Sequence, residues 1–174
     1  FTLTTGEKVK AKAIRETSNG MLFITVDCLK DEWKMFENPD RAEKIDYEHS
    51  DLRKKLNGEI LESFPEEIKG RMVGMRAGQT NCFDMLRIPT EREIFGENLC
   101  GEGEPVSVRR FYDMDDRRER IAFQGSETDT WEWYWLQNKV EDSASYFACI
   151  DTLGRADWGS IYDSLGVRPV FLLF

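Results

Sequence analysis

The chain has 174 residues, enough for one domain that buries roughly 70% of its unfolded surface. A hydrophobic content of 40% with 12% aromatics supports a core, and a net charge of −9 argues against a nucleic-acid backbone or an anionic membrane surface as partner. There is no apolar run of about 18 residues and no secretory signal, so no membrane insertion is expected. The chain opens on Phe1, not Met, and reads as a fragment of a longer protein. Its location stays open between a virion, a cell surface and a bacterial cytoplasm.

In chain order, Gly6-Glu7 reads as a hairpin-like turn between two polar, alternating pieces of residues 1–13. The run from Met21 to Leu29 predicts a buried strand, entered through Ser18-Asn19-Gly20. Residues 30–47 carry charge and Pro39, and predict an irregular excursion anchored by Trp33, Met35 and Phe36. Ser50 is a good helix N-cap, Leu52 and Leu56 share one face, and Asn57-Gly58 predicts a left-handed stop. Ile60, Leu61 and Phe64 predict a second helical piece. Pro65-Glu66-Glu67 opens a third, which Gly70 ends.

Arg71 to Arg76 predicts a strand, Gly78 to Asn81 a loop, and Met85 to Pro89 a short strand. Thr90-Glu91-Arg92-Glu93 has the spacing of a reciprocal capping box ahead of Ile94-Phe95-Gly96. Ser107 predicts a helix with Val108, Phe111 and Tyr112 on one face. Arg109, Arg110, Arg117, Arg118 and Arg120 are interleaved with acids and read as a solvated face.

Trp131, Trp133 and Trp135 recur at strand period. They are either a packed core face or, if exposed, an interface for a neighbouring subunit. Tyr146 to Ile150 predicts another strand. The closing run Val170 to Phe174 is apolar on both sides of the pleat, as in a strand covered on both faces. Gly166 is placed at the turn into it, and Arg168, between apolar neighbours, needs a carboxylate or several carbonyls. Short helices in the middle and strands at both ends give the α+β class, with the terminal strands in one sheet.

The chemistry is sparse. His49 is the one histidine, which leaves no His-based metal cluster, and it reads as structural or exposed. Cys28, Cys82, Cys100 and Cys149 form no Cys-x-x-Cys pair. Cys28 and Cys149 lie in apolar runs and read as core, while Cys82 and Cys100 read as free thiols. Nucleophile elbows, phosphate loops and zinc signatures are missing, so no catalytic residue, metal ligand or cofactor is assigned. The acids at 113, 115 and 116 and at 151, 157 and 163 lack EF-hand spacing and read as solvated.

The best candidate site is the loop from Asp151 to Leu165, with Arg155, Asp157, Trp158, Ser160, Tyr162 and Asp163 held between two buried strands. Aromatic and small polar residues on a rigid scaffold are the usual chemistry of recognition. Trp158 or Tyr162 would stack on a sugar while acids and amides hold its hydroxyls. The alternative is that Trp158 and Ile161 plug the loop onto the core.

Several segments carry a family resemblance. Tyr47-Glu48-His49-Ser50-Asp51-Leu52-Arg53-Lys54-Lys55-Leu56-Asn57-Gly58 resembles the Ser-x-Leu-Arg-x-Trp-Leu-Asn segment of an uncharacterised domain family of bacteria and their phages. Phe64 to Ile68, Leu86 to Glu93, Tyr134 to Asn138, Gly154 and Gly166-Val167-Arg168-Pro169 are similar to its later segments, in order. Lys55 stands where the family has Trp, and Gln137-Asn138 where it has Arg-Ser.

The ending also resembles C-type-lectin-like folds, including the formylglycine-generating-enzyme-like branch. The resemblance implies a single C-type-lectin-like domain over residues 1–174. It implies a non-catalytic module that binds a glycan or protein at a cell surface, as part of a phage tail or bacterial surface protein. A structural module docking neighbouring subunits is the alternative. An oxidase-like enzyme would need a reactive cysteine pair, for which Cys82 and Cys149 remain by elimination.

Overall fold

The structure, a computed structural model, describes every residue except Ala77 and Gln79. The chain starts with the expected turn: Thr2 and Lys8 bridge antiparallel, and the Glu7 carbonyl accepts the Leu3 amide at 2.8 Å. Strands β1 (Ala11–Thr17) and β2 (Gly20–Thr25) then form a hairpin. No strand is predicted at β1, because its sequence is mostly polar. The register slips between Ala13 and Arg15, and the extra residue, Ile14, is fully buried. That bulge turns one apolar side chain inward from a polar strand.

The excursion over 30–47 contains β3 (Trp33–Lys34) and a 3-10 turn (Pro39–Arg41), with Met35 and Phe36 buried as anchors. Helix α1 (Asp51–Lys55) is capped by Ser50, whose hydroxyl accepts the Arg53 amide at 3.1 Å. The left-handed stop expected at Asn57-Gly58 does not form. The chain widens into a π turn (Leu56–Ile60) and continues as α2 (Leu61–Ser63). The Asn57 side chain explains this. It donates to the carbonyls of Arg53 (3.1 Å) and Leu86 (2.9 Å) and accepts the amides of Met85 and Leu86 at 2.9 and 3.1 Å. Four bonds to two segments outweigh a local cap. Helix α3 (Glu66–Lys69) follows Pro65.

The strand predicted over 71–76 breaks at Gly74 into β4 (Met72–Val73) and β5 (Met75–Arg76), and β5 pairs with β6 (Phe83–Asp84). In the predicted loop 78–81, Gln79 lies outside the described residues. The strand expected over 85–89 shrinks to one bridge, Arg87 to Val170. Helix α4 (Glu91–Phe95) has its capping box in full, and Gly96 ends it at φ +77°.

The helix expected from Ser107 is not formed. Its backbone is committed elsewhere: Arg92 takes the Val108 and Val106 carbonyls at 3.2 and 3.4 Å, and the Phe111 amide donates to Glu93. Phe111 is buried and Tyr112 is 61% exposed. Helix α5 (Arg117–Arg120) starts instead at Asp116, whose carboxylate accepts the Arg118 amide.

The remaining strands are β7 (Ala122–Phe123), β8 (Trp131–Glu132), β9 (Tyr134–Lys139), β10 (Tyr146–Ile150), β11 (Ala156–Ser160), β12 (Ser164–Leu165) and β13 (Val170–Leu173). One sheet runs β1-β2-β13-β4 and a second β11-β10-β9, with the two-stranded pairs β12-β3, β5-β6 and β7-β8. The terminal strands do share a sheet. Phe23 opposes Phe171 with their rings stacked at 5.7 Å. Val170, Phe171 and Leu172 are buried, while Phe174 runs past the sheet and is 83% exposed. The fold is mixed, with more strand than helix.

The tryptophan stripe is interrupted. The chain leaves regular pairing at Trp133, so Trp131 is exposed and Trp135 is fully buried beside the equally buried Tyr134 and Leu136. Gly166 makes room and does not serve as a turn. A Cβ there would lie 2.5 Å from Glu132 Cγ and 2.7 Å from Cys28 Sγ. Arg168 is fully buried and donates to the carbonyls of Thr25 (3.0 Å) and Glu119 (3.3 Å) and to the Tyr134 hydroxyl (3.0 Å). This is the several-carbonyl solution.

Candidate functional site

Four chain segments enclose a cleft of about 590 Å³. The first is the turn at residues 3–8, which donates the Thr4 amide to the Ser63 carbonyl at 2.7 Å and so docks on the end of α2. The second is residues 29–33. The third is the helical stretch from Glu59 to Ser63. The fourth is the loop 124–128 between β7 and β8. Gly125 donates to the Cys28 carbonyl at 3.1 Å, Gln124 donates to the Lys30 carbonyl, and the Ser126 hydroxyl donates to the Lys8 carbonyl. These bonds tie the loop to both neighbours.

The lining is amphipathic. Leu3, Leu29 and Ile60 are buried apolar residues, and Trp33 is half-buried. Glu7, Asp31, Glu59 and Glu127 contribute carboxylates, against the ammonium groups of Lys8 and Lys30. A concave site of a few hundred Å³ with apolar walls and a few placed polar groups is the usual form of a ligand pocket. The Glu7 carboxylate accepts the Lys30 amide at 2.6 Å. Burial pushes its pKa up and Asp31 and Glu127 push it the same way, opposed by the amide and charge of Lys30.

The candidates read from sequence lie elsewhere, and three of the six, Asp157, Trp158 and Ser160, are on a strand and not a loop. Residues 151–155 form a turn and the next five residues are β11, paired with β10 from Tyr146↔Ser160 to Ile150↔Ala156. The sequence hides this because Asp157, Gly159 and Ser160 have low strand propensity. Gly159 is there because the Trp135 ring passes 2.9 Å from where its Cβ would be.

β11 is an edge strand. Asp151 donates to Arg155 and Ile161 to Ser145, so the amides of Trp158 and Ser160 face the free edge. Each is capped by a carboxylate, Trp158 by Asp157 at 2.8 Å and Ser160 by Asp163 at 3.0 Å. Capping blunts an edge that would otherwise template pairing with another chain. Arg155 is held by Asp151 at 2.9 Å, the Ser160 hydroxyl accepts the Tyr162 amide, and the Tyr162 hydroxyl donates to Asp40 at 2.8 Å. The polar candidates thus serve local structure. Trp158 stays 55% exposed and does not plug the core, whereas Ile161 is buried.

Cys28 and Cys149 are buried and Cys82 and Cys100 half-exposed, all four as free thiols. Burial pushes the Cys28 and Cys149 thiols up, away from the reactive thiolate. His49 is exposed and its Nδ1 lies 2.6 Å from Asp46. Among the described residues, no group of three or more His, Cys, Asp or Glu side chains is placed to hold a metal ion.

A family model for a domain of unknown function, DUF6273, matches residues 19–174. The chain belongs to the DUF6273 family. The match takes in three walls of the cleft and leaves the fourth, residues 3–8, outside it. No curated protein and no solved structure matches the chain.

Proposed function

We propose that the chain is a non-catalytic recognition domain of C-type-lectin-like architecture, which takes part of a protein or glycan partner in the cleft between residues 3–8 and 124–128. The pairing of β13 with the N-terminal hairpin supports the architecture. The observation that carries the binding reading is the cleft itself: about 590 Å³, apolar at Leu3, Leu29 and Ile60, with carboxylates around it. Its walls come from four segments joined by hydrogen bonds, so the site is formed before a ligand arrives.

A second reading rests on the outer face of β10 and β11. Tyr146 opposes Ser160 and Trp158 opposes Ala148, so the two aromatics are diagonal neighbours on one sheet face. They are 42% and 55% exposed. An aromatic pair beside small residues is a platform for stacking a sugar ring.

Screening glycan and peptide arrays with three proteins separates the readings: the parent, Thr5→Trp and Trp158→Ala. Thr5 is exposed on the cleft rim, and a tryptophan there obstructs entry. Binding lost in Thr5→Trp and kept in Trp158→Ala is the expected result. The reverse pattern moves the site to the sheet face. No binding by the parent protein contradicts both readings.

A further inference from the structure

We propose that the cleft's occupant is a short basic segment of a protein partner, with a lysine or arginine head group at Glu7 and its aliphatic stem over Leu3, Leu29 and Ile60. This rests on the reading of the cleft as the binding site and specifies its ligand.

The argument is one of unmatched charge. Among the described residues, of the four carboxylates lining the cleft only Glu127 has a cation at ion-pair distance, Lys8 at 3.2 Å, and that pair is well exposed. Among the described residues, Glu7, Asp31 and Glu59 have no cation within ion-pair distance. Asp31 and Glu59 are exposed, where water serves them. Glu7 is half-buried and accepts the Lys30 amide. The Lys30 charge acts on it from beyond ion-pair distance; a carboxylate held partly out of water without a directly paired cation is unfavourable, and a cation placed beside it relieves that.

The floor then selects among cations. A calcium or magnesium ion needs six or more oxygens, and among the described residues no group of three or more His, Cys, Asp or Glu side chains is placed to hold a metal ion, while the buried lining residues Leu3, Leu29 and Ile60 are apolar. Lys and Arg carry a charged head on an apolar stem, which is the distribution the lining has. The cleft is also roomier than one such side chain requires, and its rim is exposed at Thr5, Asp31 and Thr128. The cleft therefore has room for a short peptide segment and not only for a single side chain.

The test is an NMR titration of the ¹⁵N-labelled domain with two probes, acetyl-Lys-Leu-Lys-amide and acetyl-Glu-Leu-Glu-amide, following the amides of Glu7, Lys30 and Gly125. The basic peptide is expected to shift these amides and the acidic one to leave them in place. Glu7→Gln keeps an oxygen for the Lys30 amide and removes the charge. It is expected to weaken the basic peptide roughly tenfold, and Asp31→Asn, at an exposed position, to weaken it less. Lowering the pH through the raised Glu7 carboxyl range is expected to release the peptide.

Equal shifts from both peptides would overturn the charge assignment while leaving the cleft as the site. Binding of the basic peptide that Glu7→Gln does not alter would overturn the role given to Glu7. Silence of these amides towards both peptides would overturn the basic-segment proposal, and the array screen then decides separately whether the cleft binds anything else.

Discussion

The Glu7 carboxylate accepts the backbone amide of Lys30 at 2.6 Å, joining segments 23 residues apart in sequence. This bond helps to hold the N-terminal turn against the 29–33 wall of the cleft. Glu7→Ala removes the acceptor and leaves the amide to water. The expected loss of stability is about 1 kcal/mol, read by urea unfolding, with faster hydrogen exchange at Lys30. Because the folded-state pKa of Glu7 is raised, its charge opposes folding once ionised. Its effect on stability is therefore absent well below the ordinary carboxyl value and grows as pH rises through the raised one. Glu7→Gln is expected to flatten that part of the pH profile.

Glu132 gives a larger effect of the same sign. It is 7% exposed, in the space left by Gly166, and its carboxylate meets that of Glu32. Burial and the Glu32 charge push its pKa up to about 7, while the Trp133 amide, donating at 2.9 Å, opposes the shift. The buried Cys28 is the other ionisable group that feels the Glu132 charge. The native state holds a proton here that the unfolded chain releases near 4.5. Stability is expected to fall by roughly 3 kcal/mol as pH rises across that window. Glu132→Gln should abolish the fall, and an unchanged pH profile in that variant would remove Glu132 as its cause.

Arg168 is caged by two carbonyls and a phenol, and its guanidinium carbon also lies 5.1 Å from the Tyr134 ring centre. A lysine cannot span three acceptors in a plane. Arg168→Lys is expected to cost about 2–4 kcal/mol, measured by chemical denaturation. A cost below 1 kcal/mol would show that the cage is not a major support.

Glu91, fully buried at the start of α4, accepts the amides of Leu99 (2.6 Å), Cys100 (2.9 Å) and Gly101 (3.1 Å). The Asn98 side-chain amide also reaches it at 3.5 Å, and hydrogen bonds from amides to a carboxylate are strong. Glu91→Gln turns one acceptor oxygen into a donor facing amides. The expected result is a loss of about 2–3 kcal/mol, with exchange at Leu99 to Gly101 rising before that of the core.

What the sequence shows depends on how local the cause is. The capping box at Thr90 is written within four residues, and the closing strand declares itself by apolarity on both faces. β1 is not legible, because a bulge at Ile14 replaces the alternation a reader looks for. The helix expected at Ser107 fails because Arg92 and Glu93, far back in the chain, claim its backbone.

The residues that carry the family resemblance point inward. Arg53 grips Asp84 with two bonds of 2.7 Å, Asn57 clamps residues 85 and 86, Gln137 donates to the Ile88 carbonyl, and Arg168 fills its cage. Of these, Arg53, Asn57 and Arg168 match the family pattern and Gln137 departs from it; the matching three state what the fold requires, which is why they locate no site. The cleft has no sequence signature either. Glu7, Asp31, Ile60 and Ser126 come from four distant segments with no shared period, and only the folded chain brings them together.

The chain's five tryptophans stand at positions 33, 131, 133, 135 and 158. With 5-fluorotryptophan in their place, each gives one ¹⁹F resonance. Trp33 reports on the cleft, Trp158 on the sheet face and the buried Trp135 on the core. The decisive measurement is a titration of this labelled domain with a ligand captured on the arrays. If the cleft is the binding site, the Trp33 resonance moves while those of Trp135 and Trp158 stay. Movement of Trp158 with Trp33 unchanged would contradict it.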